Sequence, residues 1–258
     1  MNDLNALTGL VRRCVEDYDM IAPGDTVAVG VSGGKDSLVL LMALNELRRY
    51  YPKPFALEAI TVELGFDGMD FTPVAELCET LGVPYTRLKT DIKEVVFDVR
   101  KEDNPCSLCA KMRRGALHAA AEELDCNKVA LGHHLDDAIE TFYMNLWREG
   151  RIGCFSPVTE LSDRGLTLIR PLLLATEQEV RCAVKEEGFP IVKSRCPADG
   201  VTTREDTKNF VRERCRTDRA FRQKTLHALQ ESGIDGWRPL HPARTSKKED
   251  TAHADARI

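Results

Sequence analysis

Side chains and backbone able to do chemistry gather in three short stretches. The first, Ser32-Gly33-Gly34-Lys35-Asp36-Ser37, lies between a β-rich run, Thr26 to Val31, and a helix-like apolar run, Leu38 to Tyr50. A glycine loop between a strand and a helix start lets backbone N–H groups approach phosphate, and the helix dipole favours the anion. It is not a Walker A loop, which would need Gly at 29 and Ser or Thr at 36; the residues there are Val29 and Asp36. It is not G-x-G-x-x-G either, so a dinucleotide fingerprint is excluded. The second stretch is Leu131-Gly132-His133-His134-Leu135-Asp136-Asp137. Two His beside two Asp invite a metal, but neighbouring residues point apart where a zinc site needs ligands on one face, so alone it reads as a capped helix start.

The third set is sulfur. Cys106 and Cys109 form the single C-x-x-C among nine cysteines, at i and i+3 where a helix begins and its dipole favours thiolate. Cys196 lies in a polar loop, Phe189 to Gly200, rather than in a core pattern. Structural zinc wants four ligands, and neither a second C-x-x-C nor an H-x₃₋₅-H occurs; a redox disulfide at the C-x-x-C stays open. Three thiolates can hold a cubane cluster and leave one iron for a non-protein ligand such as sulfide. Cys14, Cys78, Cys126 and Cys182 lie in or beside apolar patterns and read as small core residues. Cys215, in a basic helix, reads as an ordinary helix residue, with a spare fourth ligand or persulfide carrier as the alternative.

The elements that must position these residues alternate. A helix over Leu4 to Met20 precedes strand Thr26–Val31, the glycine loop and helix Leu38–Tyr50. Strands follow at Phe55–Val62, Tyr85–Lys89, Lys128–Leu131 and Thr167–Ile169, separated by helices at Thr72–Leu81, Ser107–Leu124 and beyond Ile139; Glu177–Glu187 is another helix. Alternation of this kind predicts an α/β fold, a doubly wound parallel sheet with ligands beyond the carboxyl ends of its strands. The chain of 258 residues divides into an N-terminal helix (1–21), a nucleotide-binding domain (22–192), a basic and mostly helical extension (193–240, helical over about Glu205 to Glu231) and a polar tail (241–258) expected to be disordered. Lys and Arg number 36 against 41 Asp and Glu, so the chain is not coated in positive charge, yet Lys193 to Lys224 holds ten basic and five acidic residues. That local reversal fits a polyanion or a solvated helix face equally. The longest apolar run, Leu38 to Leu44, is too short to span a bilayer, and no export signal opens the chain. A cytoplasmic protein without membrane contact is expected.

Residues 32 to 37 match, letter for letter, the S-G-G-K-D-S loop of the PP-loop, or N-type, ATP pyrophosphatases. The resemblance implies an adenine nucleotide alpha hydrolase-like fold and cleavage of ATP between the α- and β-phosphates. Ser32, Gly33, Gly34 and Ser37 would then hold the β- and γ-phosphates and stabilise charge on departing pyrophosphate. Lys35 would add a point charge, and Asp36 would hold Mg²⁺ or cap the helix. The second loop is similar to the family's matching segment, which implies nucleotide contact for Gly132 and His133 and Mg²⁺ binding or acceptor orientation for Asp137. The backbone at Ala28–Gly30 and Thr61–Val62 would flank adenine.

Within that family the arrangement resembles the tRNA 2-thiocytidine synthetases over roughly residues 20 to 200. The match is carried by Ser32–Ser37, Cys106-Ser-Leu-Cys109 with Arg113-Arg114-Gly115, Leu131–Asp137, Ile169-Arg170-Pro171-Leu172, and Phe189-Pro190-Ile191 before Cys196. It implies a [4Fe–4S] cluster on Cys106, Cys109 and Cys196. The family commonly has C-x-x-C near the third position, whereas Cys196 stands alone, and cluster binding needs one thiol there. The implied activity is adenylation of a cytidine C2 oxygen in the anticodon loop of tRNA, followed by replacement with sulfur from the cluster or from a persulfide on Cys106 or Cys109. The base must be unstacked for this. Arg113, Arg114, Arg204, Arg212 and Arg216 would hold tRNA phosphates. A sulfur donor such as a cysteine desulfurase is expected, and a homodimer is compatible. Two alternatives remain: an AMP-forming thiolase or ligase acting on another tRNA base or a small metabolite, and a nucleotide- and RNA-binding iron–sulfur protein without turnover.

Overall fold

The computed structural model describes residues 3–101, 105–197 and 204–241; the expected tail from 242 onward lies outside them. Helix α1 (Asp3–Asp17) leads into β1 (Thr26–Gly30), α2 (Lys35–Arg48), β2 (Ala56–Glu63), α3 (Thr72–Leu81) and β3 (Tyr85–Lys89). A π-helical turn, Glu94–Arg100, precedes α4 (Pro105–Glu123), β4 (Lys128–Ala130) and α5 (Leu135–Arg148). Then come β5 (Val158–Leu161), β6 (Leu166–Ile169), α6 (Glu177–Glu187), α7 (Arg204–Thr217) and α8 (Phe221–Ser232).

The strands form one sheet in the order β3-β2-β1-β4-β6-β5, parallel except for β5, which runs antiparallel to β6. Val27, Ala28 and Val29 of β1 are fully buried, as expected of a central strand covered on both faces. The main core lies between the sheet and a layer containing α1, α2, α5 and α6, while α4 covers the other face through Leu117, Ala120 and Ala121. Chain order reverses beside β1: β2 and β3 build outward on one side, β4 and β6 on the other. The crevice beyond the carboxyl ends of β1 and β4 is therefore the topological switch point where such sheets take ligands.

Three expectations change. The antiparallel edge β5 lies outside the expected strands, because four residues with no fully buried face carry little periodic signal. The helix expected over Glu205–Glu231 is two helices: Asp218 accepts from the Ala220 amide at 2.9 Å and from Lys224 Nζ at 2.6 Å, and the chain turns between α7 and α8. Cys182 is exposed rather than a core residue, since it lies off the buried Val180 and Ala183 face of α6. Cys14, Cys78 and Cys126 are buried.

The basic extension shares the core. Val211, Leu226 and Leu229 pack into it, and Trp237 is fully buried, its indole N–H donating to Phe155 O at 2.9 Å and its carbonyl accepting from Tyr18 Oη at 3.0 Å. Trp237→Ala should therefore lower unfolding free energy of the whole chain by about 3–5 kcal/mol, read as a shift of a single urea transition. A separate early transition would show instead that the extension folds on its own.

Candidate functional site

β1 delivers the glycine loop into the switch point. The Val31 amide still pairs with Ile60 O at 2.8 Å, after which the chain leaves the sheet. Ser32 N donates to Ser37 Oγ at 3.1 Å, Gly34 N to Ser32 Oγ at 3.3 Å, and Ser37 Oγ to Gly34 O at 2.9 Å, so the two hydroxyls tie the loop to the first turn of α2. Gly34 is the N-cap and provides no side-chain cap, so the helix start presents amides and positive dipole to the crevice. Gly33 has φ +79°, and a Cβ there would stand 2.7 Å from Val192 Cβ and 3.2 Å from a Phe71 ring carbon. Its carbonyl accepts from the Val192 amide at 2.9 Å. The segment leading to Cys196 thus lies directly on the glycine loop.

The second loop closes on the same turn. A Cβ on Gly132 would lie 3.1 Å from the Asp36 carbonyl carbon and 3.2 Å from Ser37 N, so glycine permits this approach. His134 and Asp137 form a reciprocal cap of α5: Nδ1 of buried His134 accepts from Asp137 N at 3.3 Å, and Asp137 Oδ2 accepts from His134 N at 3.0 Å. The His134 Nε2 edge faces Asp36 Oδ1 at 3.7 Å, joining the two loops. The His133 ring packs 5.0 Å from Phe155, which lies under the Arg170 guanidinium at 5.1 Å. Burial lowers the Arg170 guanidinium to about 10.

His134 and Asp136 also brace the candidate site, and their sequence neighbourhood does not single them out. Buried Asp136 caps the next helix by accepting from Glu177 N at 2.8 Å and pairs with Arg222 Nε at 2.6 Å. The His134–Asp137 spacing is a capping signal with an uncommon N-cap residue, whereas Arg222 lies 86 positions from Asp136 and leaves no local trace. Lys35 Nζ sits 2.6 Å from Asp36 Oδ1 and 3.5 Å from Glu177 Oε1. Glu177 also pairs with Arg181 at 2.8 Å and Lys208 at 3.7 Å. Burial tends to raise its carboxyl, but the Arg181 hydrogen bond and the charges of Lys208, Lys35 and Arg181 outweigh it and hold the group at about 2.

Cys106 is exposed and Cys109 half-buried on the first turn of α4; Cys196 is half-buried in the segment docked on the glycine loop. Burial raises the Cys109 thiol, the charge of Arg113 opposes this, and Cys196 and Cys106 add to it. Among the described residues no three Cys, His, Asp or Glu side chains converge enough to hold a single ion. Accessible soft donors of this kind fit an iron–sulfur cluster. By contrast, burial pushes Cys78 and Cys126 up to about 11 and Cys154 to about 12.

The expected RNA-contacting arginines divide. Arg113 and Arg114 follow the C-x-x-C on α4. Arg212 lines a cleft of about 260 Å³ with Asp136, Glu177, Arg181, Lys208 and Arg222, adjoining Lys35 through Glu177. Arg216 is exposed on the last turn of α7 and does not line that cleft; Arg204 opens α7, and its side chain lies outside the described residues.

Two outcomes are expected. Gly33→Ala should abolish measurable nucleotide binding by calorimetry, because the substitution strains a positive φ and drives a methyl into Val192; Gly115→Ala, with open space around its Cβ, should bind normally. Because folding depresses the Glu177 carboxyl from an ordinary 4.5 to about 2, its ionised form stabilises the fold above 4.5 and that contribution is lost as pH falls towards 2. Glu177→Gln should flatten the acid limb of melting temperature against pH over that window.

A family model described as a PP-loop domain matches residues 9–216. The tRNA-cytidine(32) 2-sulfurtransferase of Pelobacter propionicus is 41% identical over 194 residues, covering 74% of this chain and 72% of the relative. That of Geobacter sulfurreducens is 37% identical over 223 residues, covering 85% and 86%, and that of Syntrophotalea carbinolica is 34% identical over 255 residues, covering 98% and 96%. Among solved structures, the U34-tRNA thiolase NcsA from Methanococcus maripaludis with its [4Fe-4S] cluster superposes with a TM-score of 0.75 at 26% identity, over 89% of this chain and 78% of that one. The glycine loop at the switch point is thus that of a PP-loop protein, and the chain belongs to the tRNA-cytidine(32) 2-sulfurtransferase family.

Proposed function

We propose that the protein is an ATP-dependent tRNA sulfurtransferase converting cytidine 32 to 2-thiocytidine. The single observation that supports this most is the Val192–Gly33 contact, which couples a phosphate-binding loop to a cysteine-bearing segment at one crevice. A phosphate loop alone would serve many ligases; joined to three accessible thiols it serves sulfur transfer.

The α2 first-turn amides and the Ser32 and Ser37 hydroxyls bind the β- and γ-phosphates of ATP and stabilise charge as pyrophosphate leaves. Lys35, beside Asp36 and Glu177, adds positive charge at the loop, and Asp36 and Asp137 would hold Mg²⁺. The acceptor oxygen, O2 of the cytidine, displaces pyrophosphate from the α-phosphate and forms an O–P bond; this turns C2 into an electrophile. Sulfide then adds at C2, the C–O bond breaks, and AMP departs with the former carbonyl oxygen, a redox-neutral exchange. A [4Fe–4S] cluster held by Cys106, Cys109 and Cys196 would supply an iron coordination position for that sulfide. Gly132 and His133 border the nucleotide, and Arg113, Arg114 and Arg212 hold tRNA phosphates. Sulfide comes from a donor such as a cysteine desulfurase, and the reaction proceeds in the cytoplasm; no helix among the described residues is long and apolar enough to cross a membrane.

Nucleoside mass spectrometry of tRNA from cells lacking the chain should show no 2-thiocytidine, restored by the wild type and not by Cys196→Ser. In vitro, anaerobically reconstituted protein should release AMP and pyrophosphate only with tRNA and a sulfide source, and Cys106→Ser or Cys196→Ser should lower bound iron and broad visible absorbance while ATP still binds. Persistence of 2-thiocytidine in the deletion strain, or ADP as the product, would overturn the proposal.

A further inference from the structure

We propose that the far end of α5 carries a second RNA contact, in which an unpaired base of the bound tRNA stacks on Trp147. The inference rests on the tRNA substrate proposed above and concerns a place remote from the phosphate loop.

The chain has two tryptophans. Trp237 is fully buried, whereas Trp147 is 50% exposed. Trp147 is not a loose surface side chain. Its ring meets Phe210 at 4.2 Å, nearly perpendicular, and Tyr143 at 5.4 Å; Tyr143 stacks in turn on Phe221 at 5.4 Å. An aromatic cluster from α5, α7 and α8 therefore fixes the indole from the protein side and leaves much of it in water. Rigid, amphipathic rings of this type lose little entropy when a ligand stacks on them.

Arginines stand beside the cluster: the Arg214 guanidinium lies 5.3 Å from the Phe210 ring, and Arg148, next to Trp147 in the chain, is exposed and reaches Asp206 at 2.9 Å, with Glu149 following. Exposed arginines around an aromatic face suit nucleic acid, where every base offers a π-face and every linkage a phosphate.

Distance separates this contact from the chemistry. Leu135 begins α5 at the second loop and Trp147 follows twelve residues on, which at 1.5 Å per residue is about 18 Å along the helix. That exceeds the reach of the nucleotide being modified but lies within the span of a structured tRNA. The base at Trp147 is thus a different one from the target.

The two tryptophans make the test selective. Acrylamide should quench Trp147 and spare Trp237, and Trp147→Phe should remove the quenchable emission. Adding unmodified tRNA should shield Trp147 from acrylamide, and a fully paired RNA duplex of similar charge should not. Trp147→Ala should weaken tRNA binding roughly five- to hundredfold, with Trp147→Phe close to wild type and ATP affinity unchanged in both. Unchanged quenching in a complex that a gel shift shows to be formed would overturn the stacking contact and leave the function intact. Absence of any tRNA complex would overturn both. Shielding that rises with protein concentration without RNA would assign the face to a second copy and also overturn the proposal.

Discussion

At Gly33 the backbone of the phosphate loop meets the backbone of a segment 159 positions later with no room for a side chain between them. Close approach of this kind is possible only for glycine, and the positive φ demands it again. Because the Gly33 carbonyl is spent on Val192, the loop cannot shift without moving the strand of chain that ends in Cys196. On the opposite flank Gly132 presses on the Asp36–Ser37 backbone in the same way. The candidate ATP site is accordingly a junction of three backbone segments whose spacing is set by missing side chains, and side-chain chemistry is added around that junction.

Charge then locks the junction to the helical extension. Asp136 draws Arg222 onto α5 while capping α6, and Glu177 at the start of α6 gathers Lys35, Arg181 and Lys208. Partly buried pairs of this kind leave an uncompensated charge if one partner is lost. Through Glu177 the glycine loop and α7 share one carboxylate.

Much of this is legible in the sequence. The glycine loop announced itself by its residues and its place between strand and helix, and strands such as Tyr85–Lys89 and helices such as Thr72–Leu81 and Glu177–Glu187 coincide with their sequence patterns, because Gly82 and Gly188 end the helices in a left-handed turn. What stayed hidden shares one cause. Arg222 on Asp136, Val192 on Gly33 and Tyr18 on Trp237 are contacts between positions far apart in the chain, and periodicity reports only on near neighbours. Cys182 misled for the opposite reason: an apolar neighbourhood in sequence does not say which face of a helix turns inward.

The two rims of the sheet are unlike each other, and this bears on how the molecule behaves in a crowd. β5 is four residues long and runs backwards, a poor template for further pairing. β3, at the other rim, is five residues long and carries Arg87 and Lys89, with Arg87 anchored to Glu63 on β2 at 2.6 Å. Short, charged borders discourage a neighbour's strand from adding on. A protein whose working face must stay open to a large polyanion thus keeps its flanks closed to its own kind, and self-assembly through cross-molecule strand addition is disfavoured at either end.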